Sequence, residues 1–200
     1  MVGDRRATYS PRINAKFLKW RDKLTCGPSW QDYLAREVWE ETKAAACAGG
    51  LQADIGPLPP AKGDISMLRE IFVSLLSNAV KFSRLRPDPK IQVGGYIEGE
   101  EAVYFVKDNG IGSDMKYINM LFEVFQRLHG VEEFEGTGIG LAIVKRIVSC
   151  HGGRVWAESV LNEGTAVYFA LPARDATVDE AENNPGQSLG TGEARSAGIA

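Results

Sequence analysis

The spacing of apolar residues along the chain predicts three helices, each with one face turned towards a core. The first begins at Ser29, where Ser29 and Asp32 resemble a capping box, and it places Leu34, Val38 and Ala45 near one face. A pair of glycines at 49–50 ends it. The third predicted helix covers about 139–150 and stops at the glycine pair 152–153.

The second predicted helix carries the broadest apolar stripe. Asp64 can cap its N-terminus, because a short acidic side chain accepts hydrogen bonds from unpaired backbone N–H groups. The residues of the stripe recur at helical spacing: Leu68, Ile71, Phe72, Leu75, Ala79 and Phe82. Three polar residues stand on a different stripe of the same helix: Ser74, Asn78 and Lys81.

Short apolar runs bounded by turn residues predict five strands, at 51–55, 91–97, 102–106, 154–158 and 165–171. The second and third of these are joined through a charged turn at 98–101. From 110 to 138 the chain is rich in glycine, phenylalanine and charge, and no regular element is predicted there. Helices and strands in this order fit a layer of helices on a sheet.

Composition narrows the class of protein. Apolar residues make up 44% of the 200 residues, enough for one core, and the net charge of −3 gives no reason to expect a nucleic-acid partner. No apolar run approaches the roughly 18 residues that a membrane span needs. The three cysteines are far apart and form no CxxC, which favours reduced cysteines in a cytoplasmic protein.

The two ends differ in composition from the part between them. Residues 1–28 hold seven Arg or Lys against two Asp, and we expect an irregular basic segment, a possible remnant of a dimerisation hairpin. Residues 173–200 hold five acids and two arginines without apolar periodicity, and we expect a disordered acidic tail. Residues 29–172 are the predicted folded domain.

A glycine-rich segment, GTGIGL at 136–141, leads directly into the third helix. Closely spaced glycines let backbone N–H groups approach phosphate oxygens, and the start of a helix adds unpaired N–H groups and a positive dipole end. A dinucleotide site would need a strand before this segment, and the residues at 132–135 look like a loop. A flexible turn before a helix remains the alternative.

Two further segments carry candidate chemistry. In DNGIG at 108–112 the Asp108 carboxylate can accept a hydrogen bond from an exocyclic amine such as that of adenine, and the glycines let a flat base approach the backbone. A tight turn is the alternative. The amide oxygen of Asn78 is a reasonable Mg²⁺ ligand, and Lys81 could meet a phosphate. An Asn78 hydrogen-bonded within the fold is the alternative.

Together these segments resemble the ATP-binding domain of the histidine kinases, in the superfamily that includes gyrase and the large heat-shock chaperone. Residues 75–83 (LLSNAVKFS) resemble the N box, 108–112 the G1 box, 121–128 (LFEVFQRL) the F box and 136–141 the G2 box. The closing GTAVYF at 164–169 is also similar, and the resemblance covers about 30–172. The sequence at 125–129 and 133–136 is most similar to that of kinases attached to phytochrome-type or PAS-type sensors.

The resemblance implies a Bergerat-type fold, an α/β (α+β) two-layer sandwich in which about three helices cover one face of a mixed sheet. It implies ATP and Mg²⁺ as ligands. It also implies transfer of the ATP γ-phosphate to a histidine on a helical dimerisation hairpin, and a response regulator as a downstream partner.

The resemblance also implies roles for single residues. Asn78 would bind Mg²⁺, Lys81 would reach the phosphates, and Phe82 would lie beside the nucleotide. Asp108 would bind the adenine amine with support from Thr165. The other implied nucleotide-binding residues are Gly110 and Gly112 of the adenine pocket, Phe122 and Phe125 of the lid, and Gly136, Thr137, Gly138, Ile139, Gly140 and Leu141 of the phosphate-binding segment.

Three residues are expected to take part in transfer itself: Ser74, Lys81 and Arg127, of which Arg127 would contact the lid or the terminal phosphate. Ser74 departs from the family, because most members carry Asn, or an acid in related ATPases, at this position. That group helps to orient or activate the nucleophile, and a serine hydroxyl is a weaker acceptor. We therefore expect nucleotide binding to survive this change better than phosphoryl transfer.

The two histidines, His129 and His151, do not lie in a helix before the N box. We therefore expect a catalytic module that is either cut from a longer protein or acts on a histidine of a hairpin or sensor kinase supplied in trans. The alternative is a catalytically impaired ATP-binding module that regulates a partner kinase or response regulator. A serine kinase that inhibits a sigma factor shares the fold, but the F and G2 boxes argue against it.

Overall fold

The computed structural model of the chain describes residues 29–46, 51–123 and 138–173. The predicted segment 1–28 and the tail from 174 onward lie outside these residues. The described elements, in chain order, are α1 (Trp30–Ala45), β1 (Gln52–Ile55), α2 (Ile65–Ser83), β2 (Lys90–Glu98), β3 (Glu101–Asp108), a 3-10 helix (Met115–Phe122), α3 (Gly140–Cys150), β4 (Arg154–Val160) and β5 (Gly164–Pro172).

The five strands form one mixed sheet in the order β1-β2-β3-β5-β4. The first two strands run parallel, which is possible because α2 crosses between them, and the other pairs are antiparallel. In this register the end of β3 pairs with the start of β5, so that Asp108 faces Thr165. The predicted mixed-sheet, two-layer fold is confirmed.

The core lies between the helices and one face of the sheet. Five of the six residues in the predicted stripe of α2 are buried, and the ring of Phe72 meets Phe169 of β5 edge-on, with the centroids 5.9 Å apart. Phe82, the sixth, is only half-buried. In α1, Leu34 and Val38 are buried, but the prediction for Ala45 is wrong: the last turn of α1 extends past the core and leaves Ala45 exposed.

The predicted helix caps are present. The Ser29 hydroxyl and the Asp32 carboxylate form a reciprocal capping box at the start of α1, and Asp64 accepts a hydrogen bond from the backbone N–H of Met67 at 3.0 Å. Asp32 also accepts a hydrogen bond from the backbone N–H of Leu58 at 3.0 Å. One carboxylate thus starts α1 and holds the loop that leads to α2.

His151 connects the end of α3 to the start of α2. Its Nε2 accepts a hydrogen bond from the backbone N–H of Asp64 at 3.0 Å, and its Nδ1 lies 2.8 Å from the carbonyl oxygen of Ile147. Because Nε2 accepts, the proton lies on Nδ1, which donates to Ile147. The ring therefore links the C-terminal end of α3 to the start of α2. The glycine-rich segment lies at the other end of α3.

The 3-10 helix Met115–Phe122 was not predicted. It lies in the stretch between 110 and 138, and Ile118 and Phe122 of this helix are buried in the core. Among the described helices, none is both long and apolar enough to cross a membrane.

Candidate functional site

The Asp108 carboxyl group lies at the end of β3 with 7% of the residue exposed. It accepts hydrogen bonds from the backbone N–H of Gly110 at 2.8 Å and from the backbone N–H of Thr165. Burial raises the pKa of Asp108 to about 6, and the two N–H groups offset only part of that rise. The protein therefore holds a carboxylate whose charge is poorly solvated and would be stabilised by a further hydrogen-bond donor.

The glycines of the G1 box allow the backbone to pack closely around this carboxylate. A Cβ at Gly110 would lie 2.6 Å from Oδ1 of Asp108 and 2.6 Å from the carbonyl oxygen of Phe82. Gly112 has a positive φ of 63°, and a Cβ there would lie 1.9 Å from the carbonyl oxygen of Val160. The end of α2 and the β4–β5 turn thus both pack closely against the loop that follows Asp108.

Asn109, between Asp108 and Gly110, has a structural role in this loop. Its side-chain oxygen accepts a hydrogen bond from the backbone N–H of Lys90 at 2.8 Å, and its Nδ2 donates to the carbonyl oxygen of Asp88 at 2.8 Å. Asn109 thus makes the turn that was the alternative for this segment, while the predicted contact of Asp108 with an adenine amine stays a prediction.

Ser159, a residue that the sequence did not single out, connects Thr165 to the loop that follows Asp108. It is the cross-strand partner of Thr165 and is 5% exposed. Its Oγ accepts the backbone N–H of Ser113 at 2.7 Å and donates to the carbonyl oxygen of Gly164 at 3.0 Å. The 2.8 Å contact between its Oγ and Oγ1 of Thr165 is then one in which Thr165 donates. This leaves Oγ1 of Thr165 with free acceptor capacity.

Ser74, the first residue of the polar stripe of α2, faces the start of α3. Oγ of Ser74 is buried without a hydrogen-bond partner among the described residues, and it lies 2.6 Å from where a Cβ of Gly140 would be. The N-cap of α3 is Ile139, and no side chain of the described residues caps this helix. Its first N–H groups are therefore the kind of donors that hold anions at helix N-termini.

The other two residues of the polar stripe, Asn78 and Lys81, lie further along α2. Asn78 is half-buried and lies one turn after Ser74 and one turn before Phe82. The Lys81 ammonium nitrogen lies 4.6 Å from the centroid of the Phe82 ring, and Lys81 also borders a groove between α1 and α2. Along α2, Asn78 thus stands between Ser74, which faces the start of α3, and Phe82, whose carbonyl oxygen faces Gly110. The predicted phosphate contact of Lys81 stays a prediction.

Five of the predicted lid and phosphate-binding residues are described. Phe122 is buried in the core at the end of the 3-10 helix, which fits an anchor for a lid. Gly138 has a positive φ of 68°, and Ile139, Gly140 and Leu141 are half-buried at the start of α3. Four predicted site residues lie outside the described part of the chain: Phe125, Arg127, Gly136 and Thr137.

The contact between α2 and α3 predicts a stability pattern for two variants. Gly140→Ala should gain little of the roughly 1 kcal/mol that alanine usually brings to a helix in place of glycine, because the new methyl group would force Oγ of Ser74 to rotate away. Ser74→Ala in the same chain should recover that gain, since the nearest side-chain atom is then Cβ of residue 74, at 3.8 Å. Urea unfolding of the two single variants and the double variant measures this. A double variant no more stable than Gly140→Ala would contradict the contact.

The family model described as "Histidine kinase-, DNA gyrase B-, and HSP90-like ATPase" matches residues 63–175. Cyanobacterial phytochrome A of Nostoc sp. (strain PCC 7120) is 44% identical over 116 residues, which are 58% of this chain and 15% of the phytochrome. The methanogenesis regulatory histidine kinase FilI of Methanothrix harundinacea is 45% identical over 114 residues, 57% of this chain and 13% of the kinase. The chain thus spans less than a fifth of these relatives.

Two solved structures share the fold. Full-length ShkA in complex with AMPPNP is 29% identical with a TM-score of 0.61, and the match covers 76% of this chain and 32% of ShkA. The mycobacterial sensor histidine kinase MprB is 27% identical with a TM-score of 0.60, and the match covers 71% of this chain and 95% of the solved MprB chain. Because the family model matches more than half of the sequence, this chain belongs to the histidine kinase-, DNA gyrase B- and HSP90-like ATPase family, and it is homologous to the catalytic domains of sensor histidine kinases.

Proposed function

We propose that this chain is the ATP-binding catalytic domain of a two-component sensor histidine kinase. In this proposal it transfers the γ-phosphate of ATP to a histidine on a dimerisation hairpin that is not among the 200 residues. A response regulator would then receive the phosphate. The observation that carries the proposal is the buried Asp108 carboxylate, a poorly solvated acceptor at the end of β3 around which the glycines of the G1 box let the backbone pack closely.

The hydrogen bonds around Asp108 support adenine recognition. An exocyclic amine carries two donor hydrogens, and this region offers two acceptors, the Asp108 carboxylate and Oγ1 of Thr165. A purine with a carbonyl oxygen in place of the amine would set an acceptor against these acceptors, which leaves buried polar groups unpaired. The proposed ligand is therefore an adenine nucleotide.

For Mg²⁺ we propose Asn78 as the protein ligand. Within the described residues no three His, Cys, Asp or Glu side chains come together as a metal cluster, whereas Mg²⁺ in nucleotide sites commonly takes few protein oxygens and several from phosphates and water. The half-buried Asn78, which stands between Ser74 and Phe82 along α2, fits that arrangement. The ion would draw the phosphates towards the backbone N–H groups of Gly140 and Leu141.

The experiment that tests the function is transfer of phosphate from labelled ATP, with Mg²⁺, to separately supplied kinase hairpins that carry their histidine. ATP affinity is measured in the same sample. Label on a hairpin supports a competent catalytic domain. Tight binding without label on any of several hairpins supports a regulatory ATP-binding module, and absence of binding contradicts both.

Ser74 favours that second candidate function, because its buried hydroxyl has no hydrogen-bond partner among the described residues, at a position where family members usually carry Asn. We expect Ser74→Asn to raise the transfer rate by on the order of tenfold or more, since acid–base or orienting groups contribute factors of this size. ATP affinity should change much less. The measurement is transfer rate and ATP affinity for both proteins. An unchanged rate would show that a serine at this position does not limit transfer.

A further inference from the structure

Arg86 makes an unusual set of contacts for a residue in a connecting loop. It follows α2 by three residues, and its guanidinium group donates three hydrogen bonds to backbone carbonyl oxygens. Nε donates to Asn109 at 2.9 Å, and Nη2 donates to Gly110 at 2.9 Å and also to Asn162. The side chain thus joins the end of α2 to two segments that are distant from it in sequence.

Both segments adjoin the two proposed acceptors for the adenine amine, Asp108 and Thr165. Asn109 and Gly110 follow Asp108 directly, and Gly110 donates its N–H to the Asp108 carboxylate. Asn162 lies in the β4–β5 turn with a positive φ of 64°, and its N–H donates to the carbonyl oxygen of Ile111 at 2.7 Å. That turn leads into Thr165, whose N–H also reaches Asp108.

The chemistry of arginine suits this position. A guanidinium group is planar, stays charged, and presents several donors in a fixed fork, so that it can hold carbonyl oxygens from two loops at a set separation. Arg86 is not among the groups that shift the pKa of Asp108; burial and the N–H groups of Gly110 and Thr165 are. Its effect on the carboxylate therefore runs through the geometry of the loops and not through its charge.

We propose that Arg86 is a positioning residue for base recognition. By holding the G1 loop and the β4–β5 turn together, it fixes the separation of the Asp108 carboxylate and the Thr165 hydroxyl. It thereby sets the preference for a purine nucleotide that carries an amine at C6. This inference rests on the proposed function and deepens it.

The test compares two ligands: Mg²⁺ with ATP, and Mg²⁺ with the purine ribonucleoside triphosphate that has hydrogen in place of the amine. The wild-type protein should prefer ATP by about tenfold to a hundredfold, the value of one or two buried hydrogen bonds. Arg86→Lys and Arg86→Ala should lower this preference by about fivefold or more, because a single ammonium or a methyl group cannot span three carbonyl oxygens. Affinity for the amine-free ligand should change by less than about twofold, since it does not use the acceptors that Arg86 positions.

Arg154→Lys is the matched control. Arg154 also donates three hydrogen bonds from its guanidinium group, to the carboxylates of Glu98 and Glu101 next to the β2–β3 turn. This variant should keep the ATP preference of the wild-type protein. In the Asp108→Asn background, Arg86→Lys should lower the preference less than it does in the wild-type protein, because only the Thr165 acceptor is left to position.

The outcomes separate the proposed function from the role of Arg86. If the wild-type protein binds neither ligand, the proposed function fails and this inference fails with it. If the wild-type protein prefers ATP and Arg86→Lys keeps that preference, only the inference about Arg86 is overturned. Circular dichroism reports whether the variants fold, and loss of the fold in the conservative Arg86→Lys variant would assign Arg86 to general stability and overturn its role in base recognition.

Discussion

Gly112→Ala should destabilise the domain by about 3 kcal/mol or more. Two penalties add at this position. The positive φ of 63° is strained for alanine, and the new Cβ would lie 1.9 Å from the carbonyl oxygen of Val160, a backbone atom that cannot rotate away. Denaturant unfolding measures the loss, and for a domain of marginal stability it would leave a substantial unfolded fraction.

Gly99→Ala separates the two penalties. Gly99, in the β2–β3 turn, has nearly the same φ of 60°, but nothing lies within 4 Å of the position of its Cβ. This variant should lose only about 1 kcal/mol, the cost of the left-handed conformation alone. Equal losses in the two variants would mean that the G1 loop does not pack on the β4–β5 turn as described.

Asp108→Asn should weaken ATP binding by about 1–3 kcal/mol, or roughly tenfold to a hundredfold. An amide keeps the size of the side chain and can still accept one of the two backbone N–H groups. It loses the charged acceptor for the adenine amine, and its own NH₂ group would face that amine. Titration calorimetry with Mg²⁺ and ATP measures the change, and unchanged affinity would remove Asp108 from the site.

The raised pKa of Asp108 also predicts how ATP binding depends on pH. In the free protein the pKa is about 6, and an amine donor favours the carboxylate, so that bound nucleotide should lower this pKa. ATP affinity in the wild-type protein should therefore fall as the pH drops below about 6, by up to about tenfold per pH unit. The ligand titrates in the same range, so the pH profile is compared with that of Asp108→Asn, which should lack the contribution of Asp108.

The same pKa predicts the opposite trend for stability. The folded-state pKa of about 6 is above the ordinary 3.8, so the folded protein holds its proton more tightly than the unfolded chain. The stability from this group is fully present below about pH 4 and is lost as the pH rises through 6. At pH 7 the free Asp108→Asn protein should therefore be more stable than the wild type, by up to about 3 kcal/mol. Urea unfolding at about pH 4 and at pH 7 tests this. A less stable Asn variant at pH 7 would contradict a buried, poorly solvated carboxylate.

The periodic patterns predicted all the described helices and strands except one, the 3-10 helix. The apolar stripe of α2 and the capping residues Ser29 and Asp64 correspond to local hydrogen bonds and one buried face, which short stretches of sequence encode directly. The 3-10 helix Met115–Phe122 has too few turns to build a recognisable period. Its burial depends on contacts with β4 and α3, which only the folded chain supplies.

The difference between the sequence and the folded structure is sharpest at the site. The sequence alone determined that Asp108 follows a strand, that glycines surround it, and that Asn78 stands on the polar stripe of α2, because these features are carried by side-chain type and local spacing. The tertiary structure alone decided that Ser159 directs the Thr165 hydroxyl, that Ser74 lies against Gly140, and that Arg86 holds two loops. The reason is physical: Arg86 and Asn162 are 76 residues apart, and the acceptor is a backbone carbonyl group, which every residue carries and which therefore leaves no signal in the sequence.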